Sequence, residues 1–376
     1  MMVESKCLVS VVVPTYKRPE LLARCLTALM EQDFDATAYE VIVADDAACN
    51  ETWHEVEALA KRMAKCGRTV RYVAVQGVHG PAAARNAGWR AAAGEIIAFT
   101  DDDCVPTPGW LRAGVAAFRD GVIGVAGQLI VPLPTERCPT DYEVNASHLA
   151  TARFITANCF YRRFCLAAVN GFDEHFTMAW REDSDLIFTL VQWVGAWRTQ
   201  GICRARGVWR PQGAWRPQGS PLLYTDEASL RSPNVLLVEE AFVDAPDAVV
   251  VHPLRPASWG VSLGQQRKSM FNALLYKKHP RLYREKIQAT PPWHYYGIVG
   301  ALAALLWGIV SKNKQLAVSA VGLWLLLTER FCAKRLRGTS RKPEHVAEMV
   351  VTSMLIPPVA VFWRIWGAIR FRVWFL

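Results

Sequence analysis

Apolar and polar positions alternate along this chain in short blocks, and the blocks change character near residue 290. Leu8–Val13 is a β-branched run, which predicts a strand. The turn Pro14-Thr15-Tyr16-Lys17-Arg18-Pro19 follows. Glu20–Glu31 then sets Leu21, Leu22, Cys25, Leu26 and Leu29 at helical spacing. Glu40–Ala44 predicts a second strand ending in Asp45-Asp46, Glu51–Lys65 a helix, and Thr69–Val75 a third strand. Gly80–Ala93 opens with Gly-Pro and continues Ala-rich, a loop that becomes a helix. Glu95–Thr100 predicts a fourth strand and Trp110–Phe118 another helix. Strands alternating with helices predict an α/β fold: a mostly parallel sheet with helices on both faces.

Beyond residue 120 the blocks shorten. Residues 121–180 predict short strands and loops. Glu182-Asp183-Ser184-Asp185 opens a helix through Val194, and acids in a first helical turn are favoured by the macrodipole. From Gly195 to about Glu240 the periodicity dissolves. This stretch holds a tandem repeat, Trp209–Gly213 and Trp215–Gly219, both WRPQG, and its Gly, Pro and Arg content predicts a loop insertion over 195–240. Asp247–His252 resumes as a strand, and Ser262–Lys278 predicts one basic amphipathic helix.

After residue 285 the chain reads as membrane-associated. Tyr295–Val310 is apolar, with Trp293, Tyr295 and Tyr296 at its entry in the manner of an aromatic belt. Leu316–Leu327 is a second apolar run. Both fall short of the ~20 residues of a comfortable span and become adequate with their aromatic and polar flanks in the interface. The short connection Ser311–Gln315 predicts a helical hairpin, and the basic loop 334–342 would lie on the cytoplasmic side under the positive-inside rule. Val346–Trp363 is a third apolar stretch, interrupted by Pro357-Pro358. It predicts a re-entrant or in-plane helix, with Arg364, Arg370 and Arg372 on anionic headgroups.

Composition sharpens this picture. The chain has 376 residues, 52% of them hydrophobic, enough for a full α/β domain and a remainder. Its net charge of +9 is concentrated near the end and flanks apolar stretches, which favours membrane lipids over nucleic acid as the partner. Ten cysteines form no CxxC pair, which predicts mostly reduced thiols in a reducing compartment. The N-terminus lacks a basic head, a long apolar run and a cleavage site, and reads as a first strand, not a signal peptide.

The chemistry concentrates at residues 94–109, GEIIAFTDDDCVPTPG. An apolar run, Ile96–Phe99, ends in Asp101, Asp102 and Asp103. Open α/β sheets bind ligands at the carboxyl ends of their strands. Three carboxylates there repel one another unless a cation shares the site. Hard divalent ions such as Mg²⁺ or Mn²⁺ take oxygen ligands and bind through one or two carboxylates plus substrate phosphates. The pattern predicts a metal–diphosphate site.

Several ordered motifs then resemble the family 2 glycosyltransferases, an inverting class that uses nucleotide-sugar donors. SVVVPTYKRP resembles the first strand and donor loop, and EVIVADDA the second strand with its acidic end. GPAAARNAGWRAAAGEIIAFTDDDCVP resembles the Arg-Asn helix with the metal-binding acids. TANCFYRR and NGFDEHF resemble the acceptor-side loop, REDSDL the ED-containing helix, and VVVHP the returning strand with its histidine. The match covers about 7–195 and 241–280. The stretch between Val194 and Phe242 is longer than the family pattern needs.

The resemblance implies a GT-A-like, Rossmann-type fold: a catalytic domain over 1–285, with a nucleotide-binding half (about 1–120) and an acceptor half (about 121–285), followed by membrane-associated helices over 286–376. It implies a nucleotide pocket lined by Pro14, Thr15, Tyr16 and Arg18. Asp45 or Asp46 would hold the base, and Arg85 would lie near the ribose or diphosphate. Asp101 would approach ribose and metal beside Asp102, Asp103 would be the main metal ligand, and His252 a second, its imidazole suiting Mn²⁺ better than Mg²⁺. Asp183 would be the general base, with Glu182 orienting it or the acceptor. His175 and Trp180 could touch a sugar, although core packing explains Trp180 equally well.

The function expected is metal-assisted direct displacement. It moves a sugar from a nucleotide-diphosphate donor, UDP being the commonest, to a sugar, polysaccharide or lipid-linked hydroxyl. The expected place is the cell membrane with the catalytic domain cytoplasmic. Two other readings stand beside it. A nucleotidyltransferase also uses an acidic metal site, but PTYKRP is not its Gly-rich basic loop. A membrane-tethered sugar-nucleotide-binding protein would need no intact Asp183.

Overall fold

The computed structural model describes residues 7–199 and 240–375. The WRPQG repeat and most of the expected insertion lie outside the described residues. The part of the chain before the last three helices is built on one eight-stranded sheet. Its first part alternates β1 (Val9–Thr15), α1 (Pro19–Met30), β2 (Tyr39–Asp45), α2 (Asn50–Ala64), β3 (Thr69–Ala74), α3 (Pro81–Ala91), β4 (Ile96–Phe99), β5 (Val105–Pro106) and α4 (Trp110–Ala116). The second part adds β6 (Gly124–Ile130), α5 (Asp141–Ser147), β7 (Cys159–Arg162), α6 (Arg163–Val169), α7 (Glu182–Thr199) and β8 (Phe242–Val251). The order across the sheet is β3-β2-β1-β4-β7-β6-β8-β5. β3, β2, β1 and β4 run parallel, β7 runs antiparallel to β4 and β6, and β6 pairs parallel with β8. The expected mostly parallel sheet is therefore present from β3 to β4 and becomes mixed beyond β4.

Strand periodicity explains the two covered faces. Val9, Val11 and Val13 of β1 point to one core with Leu22, Leu26 and Leu29 of α1 and Trp110 of α4. Val12, Ile97 and Phe99 point to the other, beneath Trp89 of α3, Leu166 of α6 and Leu186 of α7. Helix α3 sits tight on β1 because Gly88 faces Val12, where a Cβ would overlap the Val12 side chain. The chain winds outward from β1 to β3 and then returns to β4 on the other side of β1. Ligands of open α/β sheets bind at such a reversal. The carboxyl ends of β1 and β4 meet there, carrying Thr15 and Asp101–Asp103.

Several local expectations shift. Residues 121–180 contain helices α5 and α6 besides short strands; α5 carries a capping box in which Thr140 and Glu143 satisfy each other's backbone N–H groups. Helix α7 runs past Val194 to Thr199. β8 starts at Phe242, ahead of the expected Asp247, because its register against β6 jumps from Ala245 to Val249, so Pro246 sits in the irregularity where a strand tolerates it. The expected single helix over 262–278 is three pieces: α8 (Val261–Gln265), a 3-10 turn (Gln266–Met270) and α9 (Phe271–Lys278). Helix α10 (Pro280–Lys286) follows.

The last region holds α11 (Trp293–Val310), α12 (Lys314–Arg335) and α13 (Pro343–Arg370), each long and apolar enough to cross a membrane. α11 and α12 form the expected hairpin; Asn313 caps α12 through Leu316 N, and Gly308 allows the backbone of Ala317 to approach. α13 is continuous through Pro357 and Pro358, so no re-entrant break forms. Both its ends touch the catalytic half. Near its start Glu348 accepts from Gly260 N, and beyond its end Phe371 O accepts from Lys277 Nζ. Arg364 is not on headgroups: it is buried, bonded to Gln288 and stacked 3.9 Å from the Phe375 ring. Arg335 joins α12 to α5 through an ion pair of 2.7 Å with Asp141 and to α13 through a hydrogen bond to Thr352. The nine described cysteines are all unpaired.

Candidate functional site

One open cavity runs along the carboxyl ends of β1 and β4. Its volume of about 3100 Å³ is several times the ~300–1,000 Å³ of a single small-ligand pocket, which leaves room for two substrates. Pro14, Thr15, Tyr16, Arg18, Asp46, Arg85, Asp101, Asp102, Asp103, Glu182, Asp183 and His252 all line it. Asp45 does not. Its buried carboxylate accepts from Ala47 N, Cys49 N and the Tyr72 hydroxyl and shapes the turn after β2. Of the two acids offered for the base, only Asp46 faces the cavity. Asp46 also accepts from Gly80 N, fastening that turn to the start of α3. Gly80 has φ +126°, and a Cβ there would stand 2.9 Å from Thr177 O.

Each acid of the triplet meets a different arginine. Asp101 pairs with Arg85 Nη2 at 2.8 Å. Asp102 accepts from Thr15 Oγ1 at 2.8 Å and pairs with Arg18 at 3.2 Å. Burial nonetheless pushes the Asp102 carboxyl up to about 6. Asp102 thus fastens the donor loop to the end of β4. Asp103 is buried and pairs with Arg255 Nε at 3.1 Å.

Asp103 also faces His252 Nε2 at 3.7 Å. That gap is too long for a hydrogen bond. Two ligands of one ion with ~2.1 Å bonds stand about 3.0 Å apart at right angles and about 4.2 Å apart when opposite, so a single hard cation fits between them. His252 Nδ1 is buried with no hydrogen-bond partner among the described residues, leaving the ring free to present Nε2. Cys104 completes the spatial cluster of Asp103, Cys104 and His252. Burial holds its thiol well above the ordinary range, so it stays protonated and is a poor ligand. The remaining oxygen and nitrogen donors suit Mn²⁺ or Mg²⁺. Asp101 stands outside that cluster.

Arg85 bridges the two halves. Its Nη1 donates to Glu182 Oε1 at 3.0 Å while Nη2 holds Asp101, and both Arg85 and Glu182 are buried. Burial raises the Glu182 carboxyl, opposed by the nearby guanidinium. Asp183 differs: it is half-buried, lines the cavity and makes no ion pair among the described residues; its Oδ1 accepts from the backbone and hydroxyl of Ser184. The turn that presents it is unusual, because Arg181 holds a left-handed φ of 77°. Trp180 is 40% exposed and faces the cavity, so core packing does not account for it. Arg181 stacks on its ring at 4.6 Å, and both reach Asn272. His175 lines the same wall and pairs with Asp173 at 2.6 Å.

Sequence reasoning missed three groups here. Arg255 follows His252 by three residues in a Pro-flanked loop, and a basic residue that close to a ligand was a usable signal. Lys268 lies in the 3-10 turn and lines the cavity; burial lowers its ammonium. The cluster Asp185, Lys278 and buried His279, with Lys278 bonded to Asp173 and Asp185, pins α9 to α7, and no local pattern announced it.

Comparison with known proteins adds a family likeness over part of the chain. Residues 10–181 match the model "Glycosyl transferase family 2". Glycosyltransferase AglE of Haloferax volcanii is 29% identical over 175 residues, covering 44% of this chain and 56% of that protein. A Campylobacter jejuni GalNAc(5)-diNAcBac-PP-undecaprenol beta-1,3-glucosyltransferase is 29% identical over 123 residues, covering 32% and 38%. The chain spans about half the length of the first curated relatives it matches. In fold, it is similar to the mannosyltransferase PcManGT from Pyrobaculum calidifontis, solved with GDP-Man and Mn²⁺, with a TM-score of 0.53 and 17% identity over 95% of this chain and 87% of that one.

Proposed function

We propose that the chain, whose residues 10–181 match the model of glycosyl transferase family 2, transfers a sugar from a nucleotide-diphosphate donor to an acceptor hydroxyl with inversion at the anomeric carbon. The observation that carries this reading is the pairing of opposites within one cavity. A buried acid and an imidazole with room for one cation stand on the donor side. A carboxylate without an ion pair among the described residues, Asp183, stands on the acceptor side. Thr15, Tyr16, Arg18 and Asp46 form the nucleotide wall, and Asp101 beside Arg85 faces the ribose or the ion. Asp103 and His252 would hold a divalent ion, which as a Lewis acid would stabilise the charge gathering on the leaving diphosphate.

Asp183 accepts the proton of the acceptor hydroxyl as its oxygen attacks the anomeric carbon. The bond from that carbon to the diphosphate oxygen breaks on the opposite side, and its electron pair leaves with the nucleotide. One base and no protein nucleophile make this a single displacement, hence inversion. Glu182 and Arg85 keep the base helix in register with the metal side. Trp180, with one face on Arg181, offers an aromatic surface to an acceptor sugar.

The acceptor is lipid-linked in this reading. The α11–α12 hairpin enters the bilayer, and α13 lies along the catalytic half at its surface. Arg335, at the basic end of that hairpin, pairs with Asp141, which supports a catalytic domain on the positive, cytoplasmic side. The Campylobacter relative is named for an undecaprenol-linked acceptor, and the fold neighbour was solved with Mn²⁺ and GDP-Man.

The test is a donor screen with the full chain in lipid nanodiscs, Mn²⁺, a panel of nucleotide sugars and a polyprenyl-linked glycan extract. Transfer of one sugar, abolished in Asp183→Asn, is expected. Turnover of nucleoside triphosphates instead, or donor binding with no transfer or hydrolysis, overturns it.

A further inference from the structure

We propose that Arg255 is a resident counter-ion for the metal-ligand carboxylate, neutralising Asp103 when no divalent ion is bound and passing to the donor diphosphate when one arrives. This rests on the donor and metal reading above.

Asp103 is almost wholly buried, and a buried carboxylate needs a cation beside it. Arg255 supplies one, with Nε 3.1 Å from Oδ2, and makes no other ion pair or hydrogen bond among the described residues. The three arginines of the acidic triplet differ in freedom. Arg85 is buried and bonded to both Asp101 and Glu182, so it is fixed. Arg18 serves Asp102, which also bonds Thr15. Arg255 alone serves an acid that belongs to the ligand cluster, and its side chain is 42% exposed.

A divalent ion held by Asp103 and His252 competes with this guanidinium for the same carboxylate. Its arrival frees Arg255 beside the cavity that would take the diphosphate. A planar guanidinium fits phosphate oxygens bidentately. Pro253 and Pro256 flank the short stretch between His252 and Arg255, limiting how far the freed side chain departs. The consequence is a coupling. The ion alone binds weakly because it displaces an arginine, and a nucleoside diphosphate strengthens ion binding by giving that arginine a new partner. Coupling of this kind is reciprocal and of order 5–150-fold.

The measurement is Mn²⁺ binding by electron paramagnetic resonance, on the full chain in nanodiscs, with and without UDP or GDP. In the wild type the nucleotide should tighten Mn²⁺ binding. Arg255→Gln should bind Mn²⁺ alone about tenfold more tightly, and the nucleotide should then tighten it far less. Arg255→Lys, which keeps the charge, should fall between, and unchanged melting of both variants shows that the fold is intact. If Arg255→Gln binds Mn²⁺ alone no more tightly, or keeps the full nucleotide effect, the counter-ion role is wrong while the metal reading stands. If the wild type binds no Mn²⁺ even with nucleotide, both fall.

Discussion

Arg85 Nη1 and Glu182 Oε1 lie 3.0 Å apart although 97 residues separate them, and both groups are buried. This pair is the seam between α3 and α7. Removing one partner of a buried pair strands the other's charge, at a cost of about 3–5 kcal/mol. Arg85→Met should therefore lower stability on that scale, and Arg85→Met with Glu182→Gln should recover much of it. Burial already raises the Glu182 carboxyl. A group whose folded pKa is raised contributes stability at low pH and loses it as pH rises, so the Arg85→Met defect should grow from pH 5 to pH 8. Melting of the single and double variants across that range checks both statements. A defect that is flat with pH would mean that Glu182 carries no charge to strand.

Asp183 sits one residue from Glu182 but faces different chemistry, half-buried at the cavity and free of ion pairs among the described residues. Asp183→Asn should leave nucleotide binding intact and reduce turnover by ~10²–10⁴-fold, the scale of losing a positioned base. Turnover within a few-fold of wild type would remove the assignment.

The donor half was legible because its signals are local. Val9–Thr15, Tyr39–Asp45 and Ile96–Phe99 are apolar runs that end in polar turns, so the strands and the acids at their carboxyl ends could be read together. The choice between Asp45 and Asp46 was not legible: adjacent residues on a strand end point opposite ways, and only the turn geometry shows which faces the cavity. Contacts of long sequence separation were equally hidden. Nothing near Arg85 announces Glu182, nothing near Asp103 announces Arg255, and nothing in α13 announces that Arg364 turns inward to Gln288. The helices α5 and α6 escaped because each spans only seven residues, too few for periodicity to stand out.

Helix α5 forms part of the cavity wall through Tyr142, Asn145 and Ala146, and its capping box is electrostatically loaded. Hydrogen bonds from Arg137 hold the Glu143 carboxyl down at about 2, with the Thr140 backbone adding to them. A group with a lowered folded pKa contributes stability above its unfolded pKa and loses it as pH falls toward the folded value. The gap in melting temperature between wild type and Glu143→Gln should therefore be full at pH 6 and close progressively between about pH 4.5 and pH 2. A gap independent of pH would show that the carboxylate is not what the cap uses.

Helix α13 packs closely on the elements that precede it. It lies on the 3-10 turn and α9, and at Gly367 a Cβ would run into the backbone of Met270. Met270 and Phe271 belong to the buried cluster with Phe176, Phe188 and Phe375. Removing residues 293–376 would therefore uncover that cluster as well as detach the hairpin, and release from membranes would come with loss of folding. A smaller change isolates the contact. Ala is favoured over Gly in a helix by ~1 kcal/mol, so Gly367→Ala would stabilise if space allowed. Overpacking against fixed backbone costs about 1–3 kcal/mol and should win, lowering the melting temperature. Gly322→Ala in α12, where nothing stands within 4 Å of the new methyl, should be neutral or mildly stabilising. Equal melting of the two variants would mean that α13 does not press on the catalytic half as closely as Gly367 implies.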